Sequence, residues 1–135
     1  MTSKKFKTVE LDKSQYLNYQ KKAEEFYRTM LHAEKSGHWN AVGLNAVHCA
    51  ISICDALLVK FRGVRSIGDD HMMVVNVIRQ NLNIKDINTK LNTLRRILAK
   101  KSLIEYDNII FTKSDAQDIM KQTERFYLWA REELK

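Results

Sequence analysis

The sequence contains no proline among its 135 residues, and this absence constrains the fold more than any other feature. At ordinary usage of about 5%, a chain of this length would carry roughly seven prolines. Because helix interiors tolerate proline least of all residues, its absence favours long uninterrupted helices. It also argues against proline-rich linkers and loop-rich β-sandwiches. The length suits one domain that buries its own hydrophobic core.

Apolar residues recur at three- and four-residue intervals through most of the chain, which is the period of an amphipathic helix. These intervals predict helices over about 12–36, 39–61, 69–82 and 86–101, and a last helix over about 114–134. The second helix is apolar around most of its surface, which predicts that it is central and most buried. We therefore expect an all-α fold, an up-and-down bundle of four or five helices.

Helix-end signals support these limits. Asp12 or Ser14 can cap the first helix, and Ser114 with Gln117 forms a capping box for the last. Gly43 lies inside the central helix, where glycine costs about 1 kcal/mol relative to alanine. We expect it to allow close backbone packing by a neighbouring helix. The lysine-rich residues 1–11 are predicted to form a flexible basic arm, and residues 12–135 a single helical domain.

The charge and cysteine content bound the environment. The formal net charge is +7, which is compatible with a nucleic acid, a nucleotide or an acidic partner and requires none of them. We see neither a signal peptide nor the ~20 consecutive apolar residues that span a bilayer, so we expect no membrane association. Cys49 and Cys54, as free thiols in a buried helix, suit a reducing cytoplasm.

Three stretches occur in the order and spacing of a known family. The first spans 23–41 and ends in Gly-His-Trp-Asn-Ala; the second is the alanine-rich segment 45–58, followed by a basic loop and His71. The third begins with Glu105-Tyr106 and continues through Ile-Phe-Thr-Lys-Ser-Asp-Ala at 110–116 into the last helix. Together they resemble the HEPN domains of prokaryotes, particularly the small stand-alone kind, over roughly residues 15–133.

This resemblance implies a helical bundle that often forms a homodimer. Some members of the family act as metal-independent ribonucleases, frequently as toxins paired with a minimal nucleotidyltransferase antitoxin. Other members are non-catalytic binding modules. Lys101 and Glu105 stand where the family's pattern has arginine and aspartate, and lysine keeps the charge but lacks the bidentate fork of arginine.

Arg65 and His71 match the spacing of the arginine and histidine that the ribonuclease members carry. The resemblance implies that His71 accepts the proton of a ribose 2′-hydroxyl while Arg65 stabilises the charge of the transition state. The alternative is structural: His71 hydrogen-bonds Asp69, Asp70 or a loop carbonyl and fixes the start of the third helix.

Other polar residues are weaker candidates. Basic residues end the second and fourth helices, where they complement the helix dipole. If these ends share a face, they form a phosphate-binding patch, for which we select Lys60, Arg62, Arg96 and Lys101. In the central helix, His48 and Asp55 lie two turns apart on one face, and we expect a buried or dimer-facing hydrogen-bonded pair there.

No P-loop, GxGxxG, HExxH, GxSxG or EF-hand pattern occurs, so we expect no cofactor and no metal. The favoured hypothesis is a HEPN-like cytoplasmic module that binds RNA, a nucleotide or a nucleotidyltransferase partner. If it is an enzyme, we expect a metal-independent endoribonuclease of the toxin–antitoxin or defence type. The alternative hypothesis is a non-catalytic helical scaffold for protein interactions.

Overall fold

A computed structural model describes residues 7–68 and 70–135. Within these residues, five helices of nine or more residues and one short helix make an all-α, up-and-down bundle, as predicted. The helices are α1 Tyr16–Lys35, α2 Trp39–Arg62, α3 Met73–Asn81, α4 Ile87–Leu98, α5 Lys101–Glu105 and α6 Lys113–Glu133. A 3-10 turn, Lys13–Gln15, precedes α1.

Helix α2 is the centre of the bundle. It packs mainly against α1 and α6, and most of its residues from Val42 to Val59 are buried. By length and composition alone, α2 would be apolar enough to cross a membrane. In this fold, however, 78% of its apolar window is buried inside the protein, so α2 serves as the core helix.

The glycine inside α2 packs closely, but not in the way that the sequence predicted. A Cβ atom at Gly43 would lie 2.8 Å from Cε2 of Phe111 and 2.9 Å from Cδ1 of Ile104. The expected neighbour was the backbone of another helix. The actual neighbours are side chains of α5 and of the segment that leads into α6, which fold over this part of α2 because both are apolar.

A two-stranded antiparallel sheet joins the N-terminal segment to the loop after α2. Strand β1, Thr8–Glu10, pairs with β2, Val64–Ser66. The backbone N–H of Leu11 extends the pairing by donating to the carbonyl of Gly63 at 2.8 Å. Residues 8–10 were predicted to belong to a flexible arm, and they are instead held by hydrogen bonds. Residues 1–6 of that arm lie outside the described residues.

Several helix ends differ from the prediction. Helix α6 begins after Thr112, whose hydroxyl accepts from the N–H of Asp115 at 3.1 Å while the Asp115 carboxylate accepts from the N–H of Thr112 at 2.9 Å. The capping box is therefore two residues earlier than Ser114 and Gln117. Helix α3 begins at Met73 rather than at 69, because the Asp70 carboxylate accepts from the N–H of Met72 and closes a turn first.

Candidate functional site

The structure brings Arg65 and His71 to the wall of one pocket of about 160 Å³. Arg65 lies on β2, where it stands opposite Val9 of β1, and His71 lies in the turn before α3. Pairing with β1 thus fixes the backbone that carries Arg65. The pocket, called here the Arg65 pocket, is lined by Ile51, Asp55, Arg65, Ser66, Ile67, Gly68, Asp70, His71 and Val74.

A buried carboxylate holds the arginine in place. Asp55 on α2 is only 5% exposed, and its Oδ2 accepts from Nε of Arg65 at 3.3 Å. Burial raises the pKa of Asp55 to about 6, and the nearby positive charges of Arg65 and Lys22 only partly oppose this shift. Asp55 therefore ionises close to neutral pH, in contact with the cation that it positions.

The guanidinium of Arg65 has a second support. Its central carbon lies 5.5 Å from the ring centroid of Tyr19 on α1, within the range of a cation–π contact. The side chain nevertheless remains 42% exposed. Because Asp55 contacts only Nε, it orients the side chain of Arg65, and the rest of the guanidinium group can still bind an anion.

His71 is half-buried, and its pKa is lowered. Burial is the main cause; Lys101 and His48 lower the pKa further, while Glu105 and Asp70 raise it. The imidazole is therefore neutral at neutral pH. A neutral imidazole that borders a pocket can accept a proton from a bound hydroxyl group.

Charged residues near His71 form a network of close contacts. Two of them, Lys101 and Glu105, are the residues that depart from the family's sequence pattern. Nζ of Lys101 lies 2.8 Å from Oε2 of Glu105, and the other carboxylate oxygen of Glu105 lies 3.7 Å from Nε2 of His48. The Lys101 side chain is only 16% exposed. The i,i+4 spacing of Lys101 and Glu105 could have predicted their ion pair.

The sequence profile of the HEPN domain matches residues 16–134. The chain belongs to the HEPN domain family. A search of the curated proteins gives no significant match.

Among solved structures, the crystal structure of an archaeal HEPN homologue matches this HEPN domain with a TM-score of 0.67 at 16% sequence identity. The match covers 89% of this chain and 98% of that chain. At this identity, the likeness extends to the fold alone.

In this HEPN domain, His48 and Asp55 do not form the hydrogen-bonded pair that we predicted from the sequence, so that prediction was wrong. Seven residues separate them, which is about 10 Å along a helix axis and too far for a hydrogen bond. Asp55 binds Arg65, and His48 faces Glu105. Each side chain instead has a partner from another part of the chain.

The four predicted phosphate ligands do not form one patch. Lys60 donates to the carbonyl of Leu134 at the end of α6, and Arg62 lines a separate pocket beside Glu133. Lys101 instead lines a pocket with His71, and its partner Glu105 lies next to His48, which is about 18 Å along the α2 axis from Lys60. Arg96 is exposed on α4.

Across residues 7–68 and 70–135, no group of three or more His, Cys, Asp or Glu side chains is arranged to hold a metal ion. The charged and titratable side chains that line the pockets are those of Arg65, His71 and Lys101 and of the carboxylates Asp55 and Asp70.

Proposed function

We propose that this HEPN domain binds a phosphate-bearing ligand, RNA or a nucleotide, in the Arg65 pocket. The observation that carries this proposal is that Arg65 and His71 border the same pocket while buried Asp55 anchors the arginine. Arginine presents several N–H donors to phosphate oxygens, and one of them is already used to set its orientation. His71 then lies beside the bound phosphate as a neutral group.

The same arrangement suits cleavage of RNA without a metal. His71 would accept the proton of a 2′-hydroxyl group, and the 2′-oxygen would attack the adjacent phosphorus. Arg65 would stabilise the added negative charge in the transition state. The bond from phosphorus to the 5′-oxygen then breaks, the leaving oxygen takes a proton from solvent, and a 2′,3′-cyclic phosphate remains.

Cleavage is tested with pure protein and single-stranded RNA in EDTA. We expect His71→Ala and Arg65→Lys to lose activity, since the first removes the base and the second removes the planar donor group. His32→Ala is the matched control, because His32 is exposed on α1 away from the pocket. If His71→Ala cleaves as fast as the unmodified protein, the ribonuclease assignment is refuted.

Binding is tested separately, because a non-catalytic module would use the same pocket. An oligonucleotide that contacts Arg65 should bind more weakly as salt increases, and Arg65→Gln should reduce the slope of log K against log salt by about one contact. Arg125→Gln, at an exposed arginine of α6, is the control. A slope that Arg65→Gln leaves unchanged would contradict phosphate binding in the Arg65 pocket.

A protein-interaction role is the second candidate, and it rests on the segment between α5 and α6. Ile109 and Ile110 are adjacent there and are 53% and 77% exposed, and neighbouring exposed apolar side chains are typical of an interaction surface. A second copy of the chain or a nucleotidyltransferase antitoxin would cover them. We expect Ile110→Ser to shift the mass measured by light scattering from dimer to monomer, and an unchanged mass would exclude this surface from a homodimer.

The two cysteines agree with the proposed cytoplasmic setting. Both are buried as free thiols, and burial raises the pKa of Cys49 to about 12. Such thiols are inert toward oxidants and metals, so we assign them to packing.

A further inference from the structure

We infer that the Arg65 pocket is one of two adjoining subsites, and that the ligand is an oligonucleotide whose bridging phosphodiester lies at His71. This inference rests on the proposed function, because it assumes that the Arg65 pocket holds a nucleotide. The second subsite is a pocket of about 260 Å³ between the turn before α3 and the start of α5. Lys101, Ser102 and Tyr106 line it.

The two pockets meet at the same residues. Asp70 and His71 line both of them, whereas Arg65 belongs only to the first and Lys101 only to the second. His71 therefore stands between a cavity anchored by an arginine and a cavity anchored by a lysine. A ligand that fills both pockets crosses the boundary formed by Asp70 and His71, so the link between its two halves lies close to the group proposed to act as the base.

The charges favour a phosphodiester over a terminal phosphate. Asp55, Asp70 and Glu105 lie around the cations Arg65 and Lys101, and Lys22 also acts on Asp55, so carboxylates largely balance the positive charge of the site. A terminal phosphate carries nearly two negative charges at neutral pH, and these carboxylates repel it more strongly than a diester with one. Arg65 and Lys101 each already contact a carboxylate, so only their remaining N–H groups can donate hydrogen bonds to a ligand.

Tyr106 provides a surface for the second base. Its side chain is 76% exposed at the end of α5, and Nζ of Lys101 lies 5.5 Å from its ring centroid. An exposed aromatic ring beside a cation, at the edge of a cavity, is a stacking platform for a nucleobase. The adjacent Ser102 hydroxyl can both donate to and accept from the ribose or the base.

The test compares a nucleoside 5′-monophosphate with a 2′-O-methyl dinucleotide that has one bridging phosphate and no terminal one. The methyl groups block cleavage, so binding is measured at equilibrium by calorimetry. We expect the dinucleotide to bind at least tenfold more tightly, and Tyr106→Leu to remove this advantage while the monophosphate binds as before. Tyr106→Phe should retain the advantage because it retains the ring.

The matched control is Tyr16→Leu. Tyr16 also has a lysine over its ring, Lys60 at 4.9 Å, but it lies at the other end of α2. This variant should leave both affinities unchanged. The inference is overturned if the dinucleotide binds no more tightly than the monophosphate, or if Tyr106→Leu weakens both ligands equally.

The same data separate this inference from the proposed function. If Arg65→Gln weakens both ligands and Tyr106→Leu weakens neither, the Arg65 pocket stands and the second subsite fails. If Arg65→Gln weakens neither ligand, the proposed function itself fails.

Discussion

Replacing Asp55 with asparagine is expected to stabilise the protein at neutral pH, although it removes an ion pair. The carboxylate is 5% exposed, and its transfer from water into α2 costs more than its single contact with Arg65 returns. The sign follows from the pKa, which burial raises from the ordinary value of 3.8 to about 6. A neutral amide of the same shape avoids the cost of burying the charge.

The magnitude depends on pH. Below pH 3.8 the Asp55 carboxyl is protonated in both the folded and the unfolded chain, so it contributes no difference. Between pH 3.8 and about 6 the folded chain keeps a proton that the unfolded chain has lost, and stability falls as pH rises. At roughly 1.4 kcal/mol per pKa unit, the full cost above pH 6 is on the order of 3 kcal/mol.

The assay is urea unfolding of the unmodified protein and Asp55→Asn between pH 3.5 and 8. The two free energies of unfolding should be similar at the acid end, and the variant should gain up to about 3 kcal/mol by pH 7. Carbon NMR should show the Asp55 carboxyl titrating near pH 6, and Arg65→Gln should raise that midpoint, because Arg65 lowers the pKa. A variant that is less stable at pH 7 would refute the reasoning.

Ligand binding should change in the opposite direction. Asparagine keeps an oxygen that can accept from Nε of Arg65 but lacks the negative charge that strengthens this contact, so Asp55→Asn should hold the arginine less firmly and bind the oligonucleotide less tightly while unfolding at higher urea. A gain in stability together with a loss of function is expected where a buried charge is kept for positioning. A variant that gains stability and binds normally would remove Asp55 from the site.

Two further predictions concern the bundle. Gly43→Ala should lower the free energy of unfolding by about 1–3 kcal/mol despite the better helix propensity of alanine, because the new Cβ would meet the buried ring of Phe111 at 2.8 Å. Phe111→Leu in the same chain should recover part of this loss in a urea titration. Thr112→Ala should cost about 1 kcal/mol as the loss of an N-cap, whereas Ser114→Ala should cost little, and equal losses would contradict the cap at Thr112.

The helices could be predicted from the sequence because their signals are local. The spacing of apolar residues located α1, α2 and α6, and Gly37, with a φ of 71°, ends α1 at the expected place. The sheet could not be predicted in this way. Strands β1 and β2 have three residues each, too few to show a period, and each depends on a partner more than fifty residues away in the chain.

The candidate site was predictable only in part, for the same reason. Arg65 and His71 could be selected as a pair from their spacing, but that spacing did not determine whether the two side chains meet in one pocket. Asp55 stands out in the sequence as a charged residue in an apolar helix. Its partner is Arg65 and not His48, because strand β2 carries Arg65 back past α2 after Gly63, and this long-range arrangement cannot be predicted from local spacing.

The face of α2 that carries His48 and Asp55 nevertheless explains why the site has two cations. Asp55 holds Arg65 directly, while two turns earlier His48 faces Glu105, which holds Lys101. Both residues lie on one buried helix. The separation between His48 and Asp55 is therefore fixed at about 10 Å along the axis of α2 and does not depend on loops. In the two-subsite proposal, the two polar residues that were expected to pair would instead support one subsite each, with His71 lining both pockets.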